Sequence, residues 1–332
     1  NDRRLLDKEA LDKLYSTLVS KRHQIAKNAG FQNYRDYRFA ELGRFDYGKE
    51  ECFRFHDAVK EQVLPLVNTI YRHKREQLQL EKLRPWDTEA QPAGVKPLTP
   101  FQTGDELVEK SIGCLMELHP FFADCIRKMN DIRHLDLESR KGKAPGGYNC
   151  PLPETGAPFI FMNAAGQMDD VTTMVHEGGH AVHSFLSHNL ELTAFKEYPM
   201  EIAEVASMAM ELFSMDEWDR FFDNESDLRR AKEHQFERVI TIFPWIATID
   251  KFQHWIYENP DEGSNASRCD EKWAELWDRY MVGIDYSGME DLKKIYWHRQ
   301  GHIFLSPFYY IEYGLAQLGA VQIWANARKD QR

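Results

Sequence analysis

The stretch His176-Glu177-Gly178-Gly179-His180 has the residue types and the spacing to do chemistry. On a helix, His176 and His180 sit one turn apart on one face, so both imidazoles can bind a single zinc ion from the same side. Glu177 then stands beside the metal, where a carboxylate can take a proton from zinc-bound water. A zinc-dependent peptidase needs that combination. The bland alternative is a pair of satisfied core histidines. The flanks carry Val171, Met174 and Val175 before the motif, then Ala181, Val182, Phe185 and Leu186 after it, a spacing that predicts a buried helix. Asp169 and Asp170 are its expected N-cap. Gly178 and Gly179 each cost a helix about 1 kcal/mol relative to Ala. A helix that tolerates both is expected to have something pressed close against it.

Two histidines and a water leave room for a third protein ligand. The candidates are His183 and the glutamates of the stretch from Glu201 to Glu211. Glu204 lies among Ala203, Ala206 and Ser207, a setting that predicts close helix packing and a buried carboxylate in need of a cation. It is the favoured third ligand. Glu211, two turns further on the same face, is placed to orient a ligand imidazole, with a solvated helix charge as the alternative. His183 is rotated away from His180 around the helix, which favours a structural or supporting role over ligation.

A peptidase also stabilises the oxyanion of its tetrahedral intermediate. The segment from His298 to Tyr313 is dense in donors, with His302, Tyr309, Tyr310 and Tyr313. Pro307 fits the first position of a helix, which would place Tyr310 and Tyr313 one turn apart on one face, with packing in the core as the alternative to an oxyanion role.

The elements that must position these residues read mostly as helices, over about 7–29, 48–82, 103–131, 199–215, 226–258, 266–281, 288–300 and 305–327. Pro244 is expected to kink or split the helix that contains it. Residues 83–100 read as a connector. Between 132 and 169 Pro and Gly cluster, and two short strands are expected at Tyr148 to Cys150 and Phe159 to Met162. A strand just ahead of the metal helix could pair with an extended substrate backbone; a plain structural hairpin is the alternative.

Composition removes other classes. A net charge of −11 with no basic block argues against a nucleic-acid partner. No apolar run is long enough to span a bilayer. Five scattered cysteines (Cys52, Cys114, Cys125, Cys150, Cys269) form no disulfide framework and predict buried thiols in a reducing compartment, by default the cytoplasm. The opening Asn-Asp-Arg-Arg-Leu-Leu is neither a signal peptide nor an ordinary initiator, so a chain that begins inside a longer protein is expected.

The combination resembles the oligoendopeptidase F branch of the thimet-oligopeptidase-like zinc metallopeptidases. The matching residues are Arg84 to Asp87, Arg140 to Tyr148, Pro158 to Asn163, Asp170 to His183, the Glu204 helix, and Pro307 to Tyr313. The resemblance implies a mainly α, zincin-like (gluzincin) catalytic domain with one small β-sheet at the active-site cleft. It implies a helical N-terminal portion over 1–100 and a bowl-like catalytic portion over 101–332, with a channel admitting short peptides. It implies one Zn²⁺ per chain on His176, His180 and Glu204, with Glu177 as general base and later proton shuttle. His302, Tyr310 and Tyr313 would be transition-state donors, and Gly146, Gly147 and Tyr148 part of the substrate-binding wall. The leading expectation is an endo-oligopeptidase. A helical zinc carboxypeptidase or dipeptidase, with Arg299 holding a terminal carboxylate, is the second reading. A peptide-binding protein with a structural or vestigial metal site is the third.

Overall fold

Apolar side chains recurring every three or four residues make most of the described chain helical, as expected. The structure, a computed structural model, describes residues 2–330. It divides into two compact units, Asn1–Val95 with Glu237–Gly314, and Lys96–Phe236 with Leu315–Arg332. Packing, rather than order along the chain, sets this division. The physical reason is an aromatic core that the N-terminal helices share with residues far along the sequence. Tyr15 packs on Trp297 with ring centroids 4.8 Å apart, and Tyr34 on Tyr257 at 4.9 Å.

In the first unit the long helix Asp2–Asn28 is followed by Tyr34–Glu41, a short helix that periodicity does not announce. The Asn33 side chain starts the latter by accepting from the Asp36 amide at 3.0 Å. Lys49–Ala58 runs through a π turn at Val59–Val63 into Leu64–Gln77. From Glu237 on, this unit also holds the later part of Glu225–Glu258, one helix that continues through Pro244 rather than splitting there. A proline inside a helix costs about 3 kcal/mol. Beyond it Ile246, Ile249, Phe252 and Ile256 are all fully buried. At about 1.5–3 kcal/mol for each such side chain, that burial outweighs the lost bond.

In the second unit the expected helix over 103–131 is two helices, Gly104–Leu118 and Pro120–Asp131. Pro120 holds the preceding residue extended, and His119 accordingly has φ −166° and ψ 130°. A three-stranded sheet follows: β1 (Leu135–Glu138), β2 (Tyr148–Cys150) and β3 (Phe159–Ala164), in the order β1-β3-β2. β1 pairs parallel with β3, and β2 antiparallel with it, setting Tyr148 opposite Phe161. Ile160, Met162 and Ala164 point inward from alternate positions of β3. The motif helix (Met168–Ser187) and the Glu204 helix (Met200–Ser214) come next. Among the described residues no helix is long and apolar enough to cross a membrane.

Candidate active site

The motif helix starts one turn earlier than the aspartates suggest. Its N-cap is Gln167, and Asp170 sits inside the first turn, accepting from the Ala165 and Gln167 amides at 2.8 Å each. A carboxylate there satisfies amides that the helix leaves without partners. In the middle of β2, Asn149 donates to the Glu177 carbonyl at 3.2 Å, tying the edge strand to the motif itself.

The two glycines have different reasons. A Cβ on Gly179 would lie 2.7 Å from the Ser207 Cα and 2.8 Å from the Ala206 carbonyl oxygen. Only glycine lets the Glu204 helix come that close. A Cβ on Gly178 would meet nothing nearer than the Ile126 side chain at 3.6 Å, an ordinary contact. The expectation of close packing therefore holds at one position of the pair.

That approach brings three donor atoms together. The Glu204 Oε2 lies 3.4 Å from the His176 Nε2 and 3.6 Å from the His180 Nε2. A tetrahedral ion with bonds of about 2.0–2.1 Å holds its ligand atoms about 3.4 Å apart, so the spacing fits zinc. The two rings stand nearly perpendicular, at 84°, with centroids 4.9 Å apart. Glu204 is buried, and both histidines are half-buried. The pairing of residue 176 with 211, and of 180 with 204, makes the two helices antiparallel.

Glu211 faces the motif rather than solvent. Its Oε1 accepts from the His176 Nδ1 at 2.6 Å, which turns the Nε2 toward Glu204. Its other oxygen accepts from the Gln235 amide at 2.6 Å, and Thr172 donates to the Gln235 carbonyl oxygen at 3.2 Å. Gln235 carries no signal in the sequence, since it lies in a different helix and its role exists only in the fold. His183 is not among the converging donors; its ring stacks on Tyr198 at 3.9 Å.

The electrostatics ask for a cation. Burial pulls the His176 pKa down, but hydrogen bonds and charge from Glu204 and Glu211 override it and raise the pKa to about 10. Burial pulls His180 down to about 4, helped by the charge on His176. The two buried carboxylates thus favour a positive charge at His176. Burial also pushes Glu177 up to about 7, and its Oε2 has no hydrogen-bond partner among the described residues. A carboxyl poised near neutrality with an unused oxygen suits proton transfer.

The substrate-wall candidates sit around β2. Gly146 has φ +102°, where a side chain would be strained. A Cβ on Gly147 would press on the Thr173 methyl at 3.3 Å. Tyr148 is half exposed and stacks on Phe161 at 5.0 Å.

His302, Tyr310 and Tyr313 lie in the other compact unit and cluster there. Ring centroids are 5.2 Å apart for His302 and Tyr310, 5.2 Å for the two tyrosines, and 6.0 Å for His302 and Tyr313. Trp245 donates its indole N–H to the Tyr310 hydroxyl at 3.0 Å, and burial pushes that phenol up to about 12. His302 lies in the short helix Gly301–Leu305, and the helix carrying the two tyrosines begins at Tyr310, not at Pro307. Phe308 intervenes with φ +64°, a left-handed conformation that costs a bulky residue about 1–3 kcal/mol.

An H-E-x-x-H helix completed by a carboxylate from the next helix, in a mostly helical frame, defines a metallopeptidase type of centre. Comparison with known proteins agrees. Residues 4–332 match the model of peptidase family M3, and the chain belongs to that family. It is 24% identical over 277 residues to oligopeptidase PepF of Bacillus subtilis, covering 79% of this chain and 40% of the relative. It is 26% identical over 221 residues to group B oligopeptidase PepB of Streptococcus agalactiae, covering 63% and 36%. The solved structure of PZ peptidase A with an inhibitor superposes with a TM-score of 0.92 at 31% identity, over 98% of this chain and 57% of that one. The resemblance to the oligoendopeptidase F branch is borne out. The chain spans about half or less of the length of these curated relatives.

Proposed function

We propose that the chain is a zinc-dependent endo-oligopeptidase that hydrolyses short peptides. The observation that carries the reading is Glu177: a buried carboxylate with one unused oxygen, one residue from the converging His176, His180 and Glu204. These three residues would hold one zinc ion, which when bound supplies a Lewis acid for the scissile carbonyl and for water. Glu177 takes the proton from the attacking water and returns it to the leaving amine. Glu211, backed by Gln235 and Thr172, keeps the His176 ring turned and its Nδ1 proton engaged. The free edge of β2 offers backbone groups to an extended peptide, with Gly146, Gly147 and Tyr148 forming the wall beside it. His302, Tyr310 and Tyr313 supply donors to the oxyanion. A reducing, cytoplasmic location accords with free cysteines at all five positions.

The test is hydrolysis of an internally quenched peptide blocked at both ends, by wild type and by Glu177→Gln, with zinc measured in both. The expected result is one zinc in each protein and a rate lowered about 10²–10⁴-fold in the variant. Cleavage only of peptides with a free C-terminus would favour the carboxypeptidase reading instead.

A further inference from the structure

Phe308 is fully buried and left-handed, two residues ahead of Tyr310. Both of its backbone polar groups are held by side chains from distant parts of the same compact unit. Its carbonyl accepts from the Arg44 Nη2 at 2.5 Å, and its amide donates to the Gln253 Oε1 at 3.3 Å. Arg44 also pairs with Glu312, inside the helix that Tyr310 begins. Arg44 and Glu312 are both buried, and the guanidinium sits 5.0 Å from the Phe39 ring centre and 5.6 Å from that of Tyr47. The Phe308 ring is packed edge-on by Phe39 at 5.3 Å and against His254 at 5.2 Å.

A strained backbone persists only where its surroundings over-determine it. Here the fixings are two hydrogen bonds, a buried ion pair and an aromatic socket. They act on the turn that decides where the Tyr310 helix starts. Were Phe308 to relax to a right-handed conformation, the helix could extend back toward Pro307 and rotate Tyr310 and Tyr313 out of their present places.

We propose that Arg44 and Gln253 are positioning residues: by clamping Phe308 in its left-handed conformation they fix the placement of Tyr310 and Tyr313. The catalytic consequence rests on the oxyanion-donor reading of those tyrosines; the positioning itself does not. Trp245 gives an independent readout, because its indole N–H is bonded to the Tyr310 hydroxyl. Arg44→Lys keeps the charge beside Glu312 and removes the guanidinium fork. Gln253→Met keeps the shape and removes the acceptor.

The experiment compares wild type, Arg44→Lys, Gln253→Met and Tyr310→Phe by the Trp245 indole N–H resonance and by steady-state kinetics. Trp245→Phe assigns the resonance. Arg44→Lys and Gln253→Met are expected to move it toward its position in Tyr310→Phe. They should also lower kcat about tenfold, leaving KM within about twofold and the zinc content unchanged. An unmoved indole resonance in both folded variants overturns the proposal, whatever the kinetics. A moved resonance with full kcat in Tyr310→Phe supports the clamp and overturns the donor role of Tyr310.

Discussion

Two regions of this molecule set histidine against a buried carboxylate, and they differ in what is left over. In the motif-helix site Glu211 takes the Nδ1 of His176 at 2.6 Å. The Nε2 is thereby free to converge with His180 and Glu204, and both histidines are half-buried. In the first compact unit His56 uses its Nε2 on Asp250 at 2.8 Å, and His254 approaches the same oxygen at 3.4 Å. Cys52, Asp250 and His254 also lie within 4.8 Å of one another, so proximity alone does not separate the two clusters. Access and charge do. Asp250, His56 and His254 are buried, with aromatic rings of Phe53 and Phe308 against His254. Burial lowers the His56 pKa there, whereas two carboxylates raise His176. One cluster is closed by its own hydrogen bonds and packed among aromatic rings, which suits a part of the core. The other sets two buried carboxylates against its histidines and would hold the cation that the proposed function requires.

The comparison can be broken first at Asp250. Replacing it with Asn removes a charge-assisted hydrogen bond in a dry core and should cost about 2–3 kcal/mol, seen as a lower Tm, with zinc content unchanged. Burial alone would raise the Asp250 pKa, but the charge and hydrogen bonds of His254 and His56 hold it well below the usual carboxylate range. A carboxylate depressed in the fold stabilises fully above its unfolded pKa of about 3.9, and that stabilisation is lost as pH falls below it. The Tm of wild type should therefore drop more steeply below about pH 4 than that of Asp250→Asn.

The mirror-image change is Glu211→Gln. It should weaken zinc binding about 10–100-fold in a chelator competition while moving the Tm of the metal-free protein little. A loss of stability with unchanged zinc affinity would make Glu211 a packing residue. The mildest effects are expected within the motif. Gly179→Ala forces the two helices apart and should cost about 1–3 kcal/mol, whereas Gly178→Ala should be neutral or stabilise by up to about 1 kcal/mol. Equal effects of the two in a denaturant titration would contradict the close approach at Gly179 alone.

How much of this was legible in the sequence depended on how local the cause was. His176, Glu177 and His180 were legible because one helical turn brings them together, and Glu204 and Glu211 because they share a face of the next helix. Gln235 was not, since nothing within its own helix marks it. The strand Leu135–Glu138 is four residues of Leu-Asp-Leu-Glu, too short for alternation to declare, and it owes its form to pairing with Phe159–Ala164. Pro307 looked like a helix start because proline suits the first position. The helix begins at Tyr310 because side chains from residues 44 and 253 hold Phe308 left-handed, which periodicity has no means to report. Pro244 does not split its helix, for a similar reason: the buried face beyond it favours continuation.

The most direct test of the account is anomalous X-ray scattering at the zinc edge from crystals of the zinc-loaded protein. The account predicts one peak, within bonding distance of the His176 Nε2, the His180 Nε2 and the Glu204 carboxylate, and none near Asp250. A peak at Cys52, Asp250 and His254, or none at the motif helix, would contradict it.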